Sequence, residues 1–184
     1  MRNLAFATAL LLGGVTAALA APALVVTSPD IKPGGKYSDE QVANVFGCTG
    51  KNISPAISWS GAPKGTKSFA VSIFDPDAPT GSGFWHWTAF NIPAATTSLP
   101  KNAGDPKASL MPAGVIQSRN DFGAPGYGGP CPPQGDKPHH YHLQVFAVDV
   151  DKLDADENAT AAVVHFNLHY HTLAKGELLA TFGR

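Results

Sequence analysis

The sequence contains little charge and only two cysteines. Its 13 lysines and arginines are scattered and nearly balanced by 14 acidic residues, which leaves a formal net charge of −1 at pH 7. This balance provides no electrostatic basis for binding nucleic acid or an anionic membrane surface. A charged fraction of 15% beside a hydrophobic fraction of 43% also excludes an intrinsically disordered chain.

Several catalytic and cofactor signatures are missing as well. The chain has no Gly-x-Ser-x-Gly elbow, no Walker loop, no dinucleotide-binding glycine pattern and no internal repeat. His165 and His169 have the i, i+4 spacing of zinc ligands, but the glutamate of His-Glu-x-x-His is absent and no third ligand is identified. We therefore expect neither a metal nor a cofactor.

The N-terminus predicts export. Arg2 provides a basic start, residues 4–19 are almost wholly apolar or small, and Ala18-Leu19-Ala20 fits the small-x-small rule for cleavage. We expect a signal peptide over residues 1–20, cleaved after Ala20, and one domain over residues 21–184 that is periplasmic or secreted. Stable membrane insertion is disfavoured, because the apolar run is shorter than the ~20 residues of a spanning helix.

Glycine and proline divide the rest of the chain into short segments. Nineteen glycines and 16 prolines separate strand-like runs, which predicts a mostly β, β-rich α+β fold with long loops. One helix is expected from Ala159 to about His169, with Val163, Phe166 and Leu168 as its apolar residues. Residues 94–129 show little periodicity and predict a functional surface loop. The candidate strands are Leu24 to Thr27, Ala56 to Trp59, Ser68 to Phe74, Trp87 to Ile92, Leu143 to Val148 and Glu177 to Phe182.

Two loops concentrate polar and conformationally restricted residues. The first is Asp75-Pro76-Asp77-Ala78-Pro79, with His86 after it; the second, Gly128 to Pro133, leads to His139-His140-Tyr141. Each adjoins a predicted strand, so both could meet at one end of a sheet and form a polar pocket. Two carboxylates this close would raise the apparent pKa of one of them. The alternative is that the aspartates only stabilise a turn.

Four motifs indicate a known family: DPDAPTGSGFWHW at 75–87, NISPAISW at 52–59, GYGGPCPP at 126–133 and HHY at 139–141. Through them the chain resembles the phosphatidylethanolamine-binding protein family, in its bacterial Raf kinase inhibitor-like subgroup. The resemblance implies antiparallel β-sheets packed face to face, with a few short peripheral helices. It also implies a pocket for phosphate-like or carboxylate-like groups. The residues implicated in binding are Asp75, Asp77, His86, Gly129, Pro132, Pro133, His139 and Tyr141.

Two further expectations concern the pocket. Eukaryotic members of the family close it with a C-terminal helix, whereas this chain stops at Arg184 after an apolar run, so their lipid and kinase partners are not expected to transfer. His140 and His142 alternate with the implicated residues and should point away from the pocket if the segment is extended. Neither is assigned a role.

Export also bears on the two cysteines. An oxidising compartment favours a disulfide between Cys48 and Cys131. The bond would join the turn at 47–50 to the second loop and contribute roughly 4 to 5 kcal/mol in the chain-entropy description. Two buried thiols are the alternative, and without a Cys-x-x-Cys motif a redox role is disfavoured.

Three functions are compatible with these features. In the first, the protein captures a small anionic or phosphorylated ligand, with His86 and His139 as hydrogen-bond donors and Asp77 tuning their charge; binding should then strengthen at mildly acidic pH. The second is a protein-interaction module that inhibits a protease or another envelope partner through residues 94–126. The third is a weak hydrolase, although no catalytic residue is identified. The oligomeric state, a homodimer included, is left open.

Overall fold

The structure, a computed structural model, describes residues 24–184. The predicted signal peptide and its cleavage site lie outside the described residues. Within these, the chain forms eight strands, one α-helix and a short 3₁₀ turn at Pro106–Ala108. The elements are β1 Val25–Thr27, β2 Ile57–Ser60, β3 Ser68–Asp75, β4 Phe84–Pro93, β5 Ser98–Leu99, β6 Ile116–Gln117, β7 His139–Val148, α1 Ala161–His171 and β8 Thr172–Phe182.

The strands form two antiparallel sheets. The smaller has the order β1-β2-β5 and the larger β6-β4-β3-β7-β8. Apolar side chains from both sheets share one core, in which the Trp59 ring meets the Phe69 ring edge-on with centroids 5.3 Å apart. This arrangement confirms the predicted β-rich class with antiparallel sheets packed face to face.

The six predicted strands are present, but their ends differ from the expected ones. β4 begins at Phe84 instead of Trp87, β7 at His139 instead of Leu143, and β8 at Thr172 instead of Glu177. The earlier starts of β4 and β7 place His86 and His139 within strands: His86 lies at a register shift in the pairing of β4 with β3, and His139 pairs with Phe182 of β8. The stretch predicted as one loop, 94–129, contains β5, the 3₁₀ turn and β6.

The helix α1 covers the outer face of the larger sheet. The Oγ1 of Thr160 accepts a hydrogen bond from the N–H of Val163 at 3.4 Å and so caps the first turn. The buried residues Val164 and Leu168 pack in a second apolar cluster with Phe90 and Phe146. No helix within residues 24–184 combines the length and apolar character needed to traverse a bilayer.

The predicted apolar face of α1 was wrong in part. Leu168 is buried, but Val163 is 47% exposed and Phe166 is 65% exposed. The side that contacts the sheet follows the helical spacing of positions 161, 164 and 168. Positions 163 and 166 therefore point away from it.

A disulfide joins Cys48 to Cys131, as expected, across a sequence separation of 83 residues. Arg184 reinforces the same region, because its Nε donates to the Pro132 carbonyl at 2.7 Å and its Nη2 to the Phe46 carbonyl at 3.1 Å. The segment before Cys48 is thus held against the second of the two predicted loops.

Candidate functional site

A cavity of about 140 Å³ opens where β3 ends and where β4 and β7 begin. Because β3 runs antiparallel to both neighbours, its end lies at the starts of β4 and β7, where Asp75 pairs with Phe84 and Phe74 pairs with His142. Both predicted loops therefore reach the same end of the sheet. The cavity is lined by Phe46, Asp75, Ala78, Pro79, Thr80, Phe84, His86, Phe122, Cys131, Pro132, Pro133, His139 and Tyr141.

A buried pair, Asp75 and His139, forms part of the cavity wall. The Oδ2 of Asp75 accepts from Nδ1 of His139 at 2.8 Å, and its Oδ1 accepts from the N–H of Asp77 at 2.8 Å. The hydrogen bond to the carboxylate places the imidazole proton on Nδ1. The other ring nitrogen, Nε2, lies 3.5 Å from Oδ2 of Asp136, whose side chain is 43% exposed.

His86 is a second buried imidazole in the wall. Its Nδ1 lies 2.8 Å from the carbonyl oxygen of Gly128, which can only accept, so Nδ1 carries the hydrogen. Burial lowers the pKa of His86, although the Gly128 carbonyl and the charge of Asp75 partly oppose that effect. The ring is therefore mainly neutral at pH 7 when no anion is nearby.

Tyr141 contributes a buried hydroxyl. Within residues 24–184 this hydroxyl makes no hydrogen bond of normal geometry, although the Asp75 carboxylate is close enough to interact with it. Burial raises the pKa of Tyr141, and the negative charge of Asp75 and a hydrogen-bonding interaction with its carboxylate raise it further, so the group remains a donor. A buried hydroxyl whose hydrogen bond is poor is costly, and a ligand entering the cavity could supply a better acceptor.

Asp77 was predicted to line the pocket, but it lies outside the cavity. Its Oδ2 accepts from the backbone N–H of His140 at 2.8 Å and from Nδ1 of the same residue at 2.7 Å. These hydrogen bonds lower the pKa of Asp77, the opposite of the direction expected if repulsion by Asp75 dominated. Alternation along β7 points His140 outward, and Asp77 follows it. Asp75, and not Asp77, contacts His139.

Gly129 is the second predicted residue that does not line the cavity. Its N–H donates to Oδ1 of Asn52 at 2.7 Å and is therefore not available to a ligand. A Cβ at this position would lie 2.0 Å from the carbonyl oxygen of Gln41. The glycine allows the second loop to pack closely on the neighbouring backbone, and Asn52 of the 52–59 motif supports it.

Sequence reasoning missed an aromatic rim at the cavity mouth. Phe46 stacks on Phe122 with centroids 5.9 Å apart, and Phe122 meets the ring of Phe84 at 4.8 Å. The three rings come from distant segments, so no local pattern could group them. The predicted disulfide was the one available signal, because it places the segment before Cys48 next to the second loop.

The histidines of α1 do not form a metal site. His165 packs on Trp85 with centroids 3.9 Å apart, whereas His169 is exposed. In the part of the chain that the structure describes, no group of three or more histidine, cysteine, aspartate or glutamate side chains is arranged to hold a metal ion.

Comparisons with known proteins agree with the geometry. The family model described as phosphatidylethanolamine-binding protein matches residues 27–183. UPF0098 protein YbcL of Escherichia coli (strain K12) is 48% identical over 168 residues, which cover 91% of this chain and 92% of the relative. UPF0098 protein YbhB of the same strain is 47% identical over 155 residues, covering 84% and 97%.

A solved structure provides the same assignment. The crystal structure of E. coli YbcL, described as a new member of the mammalian PEBP family, superposes with a TM-score of 0.86 at 48% identity. The match covers 88% of this chain and 98% of that one. The chain therefore belongs to the phosphatidylethanolamine-binding protein family, in the bacterial group that includes YbhB and YbcL.

Proposed function

We propose that this protein is exported and binds a small anionic group, such as phosphate or a phosphoryl headgroup, in the cavity at the end of β3. The single observation that carries the proposal is the grouping of two buried imidazoles, His86 and His139, with the Tyr141 hydroxyl in the wall of one cavity, where the hydroxyl interacts with Asp75 but makes no hydrogen bond of normal geometry. Buried polar groups are normally hydrogen-bonded, so this donor is accounted for if an acceptor binds. Membership in a family named for a binding function supports the proposal, and residues 1–20 support export.

The charges around the cavity make the proposed binding pH-dependent. The carboxylates of Asp75 and Asp136 lie beside His139 and oppose an anion, whereas protonated imidazoles attract one. Because burial lowers the pKa of His86, its ring must take up a proton to donate from both nitrogens. Sulfate does not titrate in this range, so its affinity should rise as the pH falls, with the rise beginning below the ordinary imidazole pKa because the pKa of His86 is lowered.

We infer binding without turnover, because no lining residue has the surroundings of an activated nucleophile. Cys131 is held in the disulfide, and the Thr80 hydroxyl donates to the Gly83 carbonyl. Asp75 already accepts two hydrogen bonds. Each candidate nucleophile is thus engaged in maintaining the cavity.

Calorimetric titration tests the proposal. Phosphate, phosphoethanolamine and sulfate would be titrated into the purified protein at pH 5.5 and 7.5. Tyr141→Phe removes only the hydroxyl and keeps the ring, so it should weaken binding about tenfold, the value of a hydrogen bond to a charged group. His86→Ala should weaken binding at least as much, while His169→Ala, an exposed histidine on α1, is the matched control.

The results have clear meanings. Saturable binding that is stronger at pH 5.5 and weaker in both cavity variants is the expected outcome. Absence of heat with all three anions, or equal affinities for the wild type and Tyr141→Phe, would refute an anion site at this position. A sulfate affinity that does not change with pH would refute the role of protonated imidazole.

A further inference from the structure

The cavity is connected to the surface by a continuous row of aromatic rings. Phe46 stacks on Phe122 with an angle of 27° between the ring planes, and Phe122 meets Phe84 edge-on. The ring of Phe84 lies 5.1 Å from that of His86, which in turn lies 5.2 Å from the ring of Tyr141. Aromatic faces therefore extend from the cavity mouth to the polar groups within it.

Phe46 is the outermost ring of this row, and it is 75% exposed. Its backbone has φ of 50°, a conformation that a bulky residue rarely adopts. It is nevertheless fixed, because Cys48 is bonded to Cys131 and Arg184 donates to the Phe46 carbonyl. A strained and anchored apolar ring at the rim of a cavity that contains a few polar groups is a feature of ligand-binding sites.

The size of the cavity limits what can bind. Its volume of about 140 Å³ is close to the roughly 150 Å³ of an apolar cavity that holds one benzene molecule. An anionic group and part of one ring fill this space, so the remainder of the ring must lie at the mouth, against Phe46 and Phe122. Bulky ligands can place only their anionic end inside.

We propose that the preferred ligand is a small aromatic anion, in which a phosphate or similar group is attached to a planar ring. The anionic group contacts His86, His139 and Tyr141, and the ring packs on Phe46 and Phe122. This specificity rests on the proposed anion-binding function. Aromatic pairs stabilise a complex beyond the burial of their area, by an amount equivalent to roughly two- to tenfold in affinity. A saturated ring of equal size lacks this contribution.

Three probes separate the anionic, apolar and aromatic contributions: phosphate, cyclohexyl phosphate and phenyl phosphate, titrated calorimetrically at pH 5.5. We expect phenyl phosphate to bind at least tenfold more tightly than phosphate and about threefold or more tighter than cyclohexyl phosphate. Phe46→Leu keeps an apolar side chain but removes the ring, so it should eliminate the difference in affinity between the two cyclic probes. Phe166→Leu, on the exposed side of α1, is the matched control.

Each alternative outcome identifies what is wrong. Phosphate binding without any preference for phenyl phosphate would overturn the aromatic specificity and leave the anion site intact. Equal affinities for the two cyclic probes, or a preference that survives in Phe46→Leu, would also overturn it. If none of the three probes binds, the proposed anion-binding function fails as well.

Discussion

Histidines lie both at the cavity and on the face of the larger sheet that α1 covers, but in different surroundings. At the cavity, His86 and His139 each have Nδ1 2.8 Å from an oxygen, and both rings border open space. On the helix face, His165 is packed between Trp85 and Phe146, and within residues 24–184 its Nε2 has no hydrogen-bond partner. Burial, with a smaller effect of the Lys175 charge, lowers the pKa of His165 to about 4.

This difference shows that a buried histidine is not in itself an indication of a binding site. His165 acts as an aromatic packing residue that stays neutral. Each cavity histidine is oriented by a hydrogen bond from Nδ1, and its ring lines the cavity. The two faces are also stabilised differently, since a disulfide and Arg184 hold the cavity loops while apolar packing holds α1.

Removal of the disulfide should have the largest effect on stability, and it should first destabilise the loops around the cavity. In the chain-entropy description, Cys48→Ala with Cys131→Ala lowers the free energy of unfolding by about 4 kcal/mol. Urea unfolding measures that change. Hydrogen exchange should accelerate at 44–48 and 128–133 before it does in α1, and uniform acceleration would show that the two faces are not stabilised independently.

On the helix face, Leu168→Ala should lower the free energy of unfolding by about 3 kcal/mol, because it leaves a cavity in the second apolar cluster. The affinity for phosphate should not change in the variant that remains folded. Leu173→Ala, at a position that is 43% exposed, is the control and should cost far less. A parallel loss of phosphate affinity in Leu168→Ala would indicate that the helix face shapes the cavity.

The fold was predictable where the pattern is local and strong. Ser68 to Phe74 is a mainly apolar run bounded by turn residues, and it forms the central strand β3. β5 and β6 have two residues each, which is too short for any periodicity to be visible. The start of β7 was missed because its first residues are polar, and their place in the strand depends on pairing with β3 and β8.

Most of the cavity-lining polar residues could be predicted, because they belong to recognisable sequence motifs. Six of the eight implicated residues line the cavity. The sequence could not show which of Asp75 and Asp77 faces the cavity. The direction of the Asp77 side chain depends on where β7 begins and on the outward position of His140. Phe46 and Phe122 meet only after folding brings distant segments together.

His165→Phe should make the protein more resistant to acid. Folded His165 stays neutral down to about pH 4, whereas the unfolded chain takes up a proton near pH 6.5. The neutral ring therefore makes its full contribution to the free energy of unfolding above pH 6.5, and this contribution is lost as the pH falls toward 4. At pH 4.5 the variant should be more stable than the wild type by about 2 kcal/mol relative to their difference at pH 7.5. An unchanged pH dependence in urea unfolding, or the same effect in the exposed control His169→Phe, would contradict the role given to His165.

Asp77→Asn should have the smallest effect and tests the boundary of the cavity. Its carboxylate is 42% exposed and pairs with His140 at the surface, so its loss should cost less than about 1 kcal/mol in the free energy of unfolding. Phosphate affinity should stay within about twofold of the wild type, because the carboxylate does not line the cavity. Asp75→Asn, two residues earlier, weakens the charge-assisted hydrogen bond that orients His139 and also removes a negative charge that opposes the anion, so it should change phosphate affinity more than Asp77→Asn does. A comparable change in phosphate affinity in Asp77→Asn would show that Asp77 belongs to the binding site, as the family resemblance implied. The first loop would then have to change conformation when the anion binds.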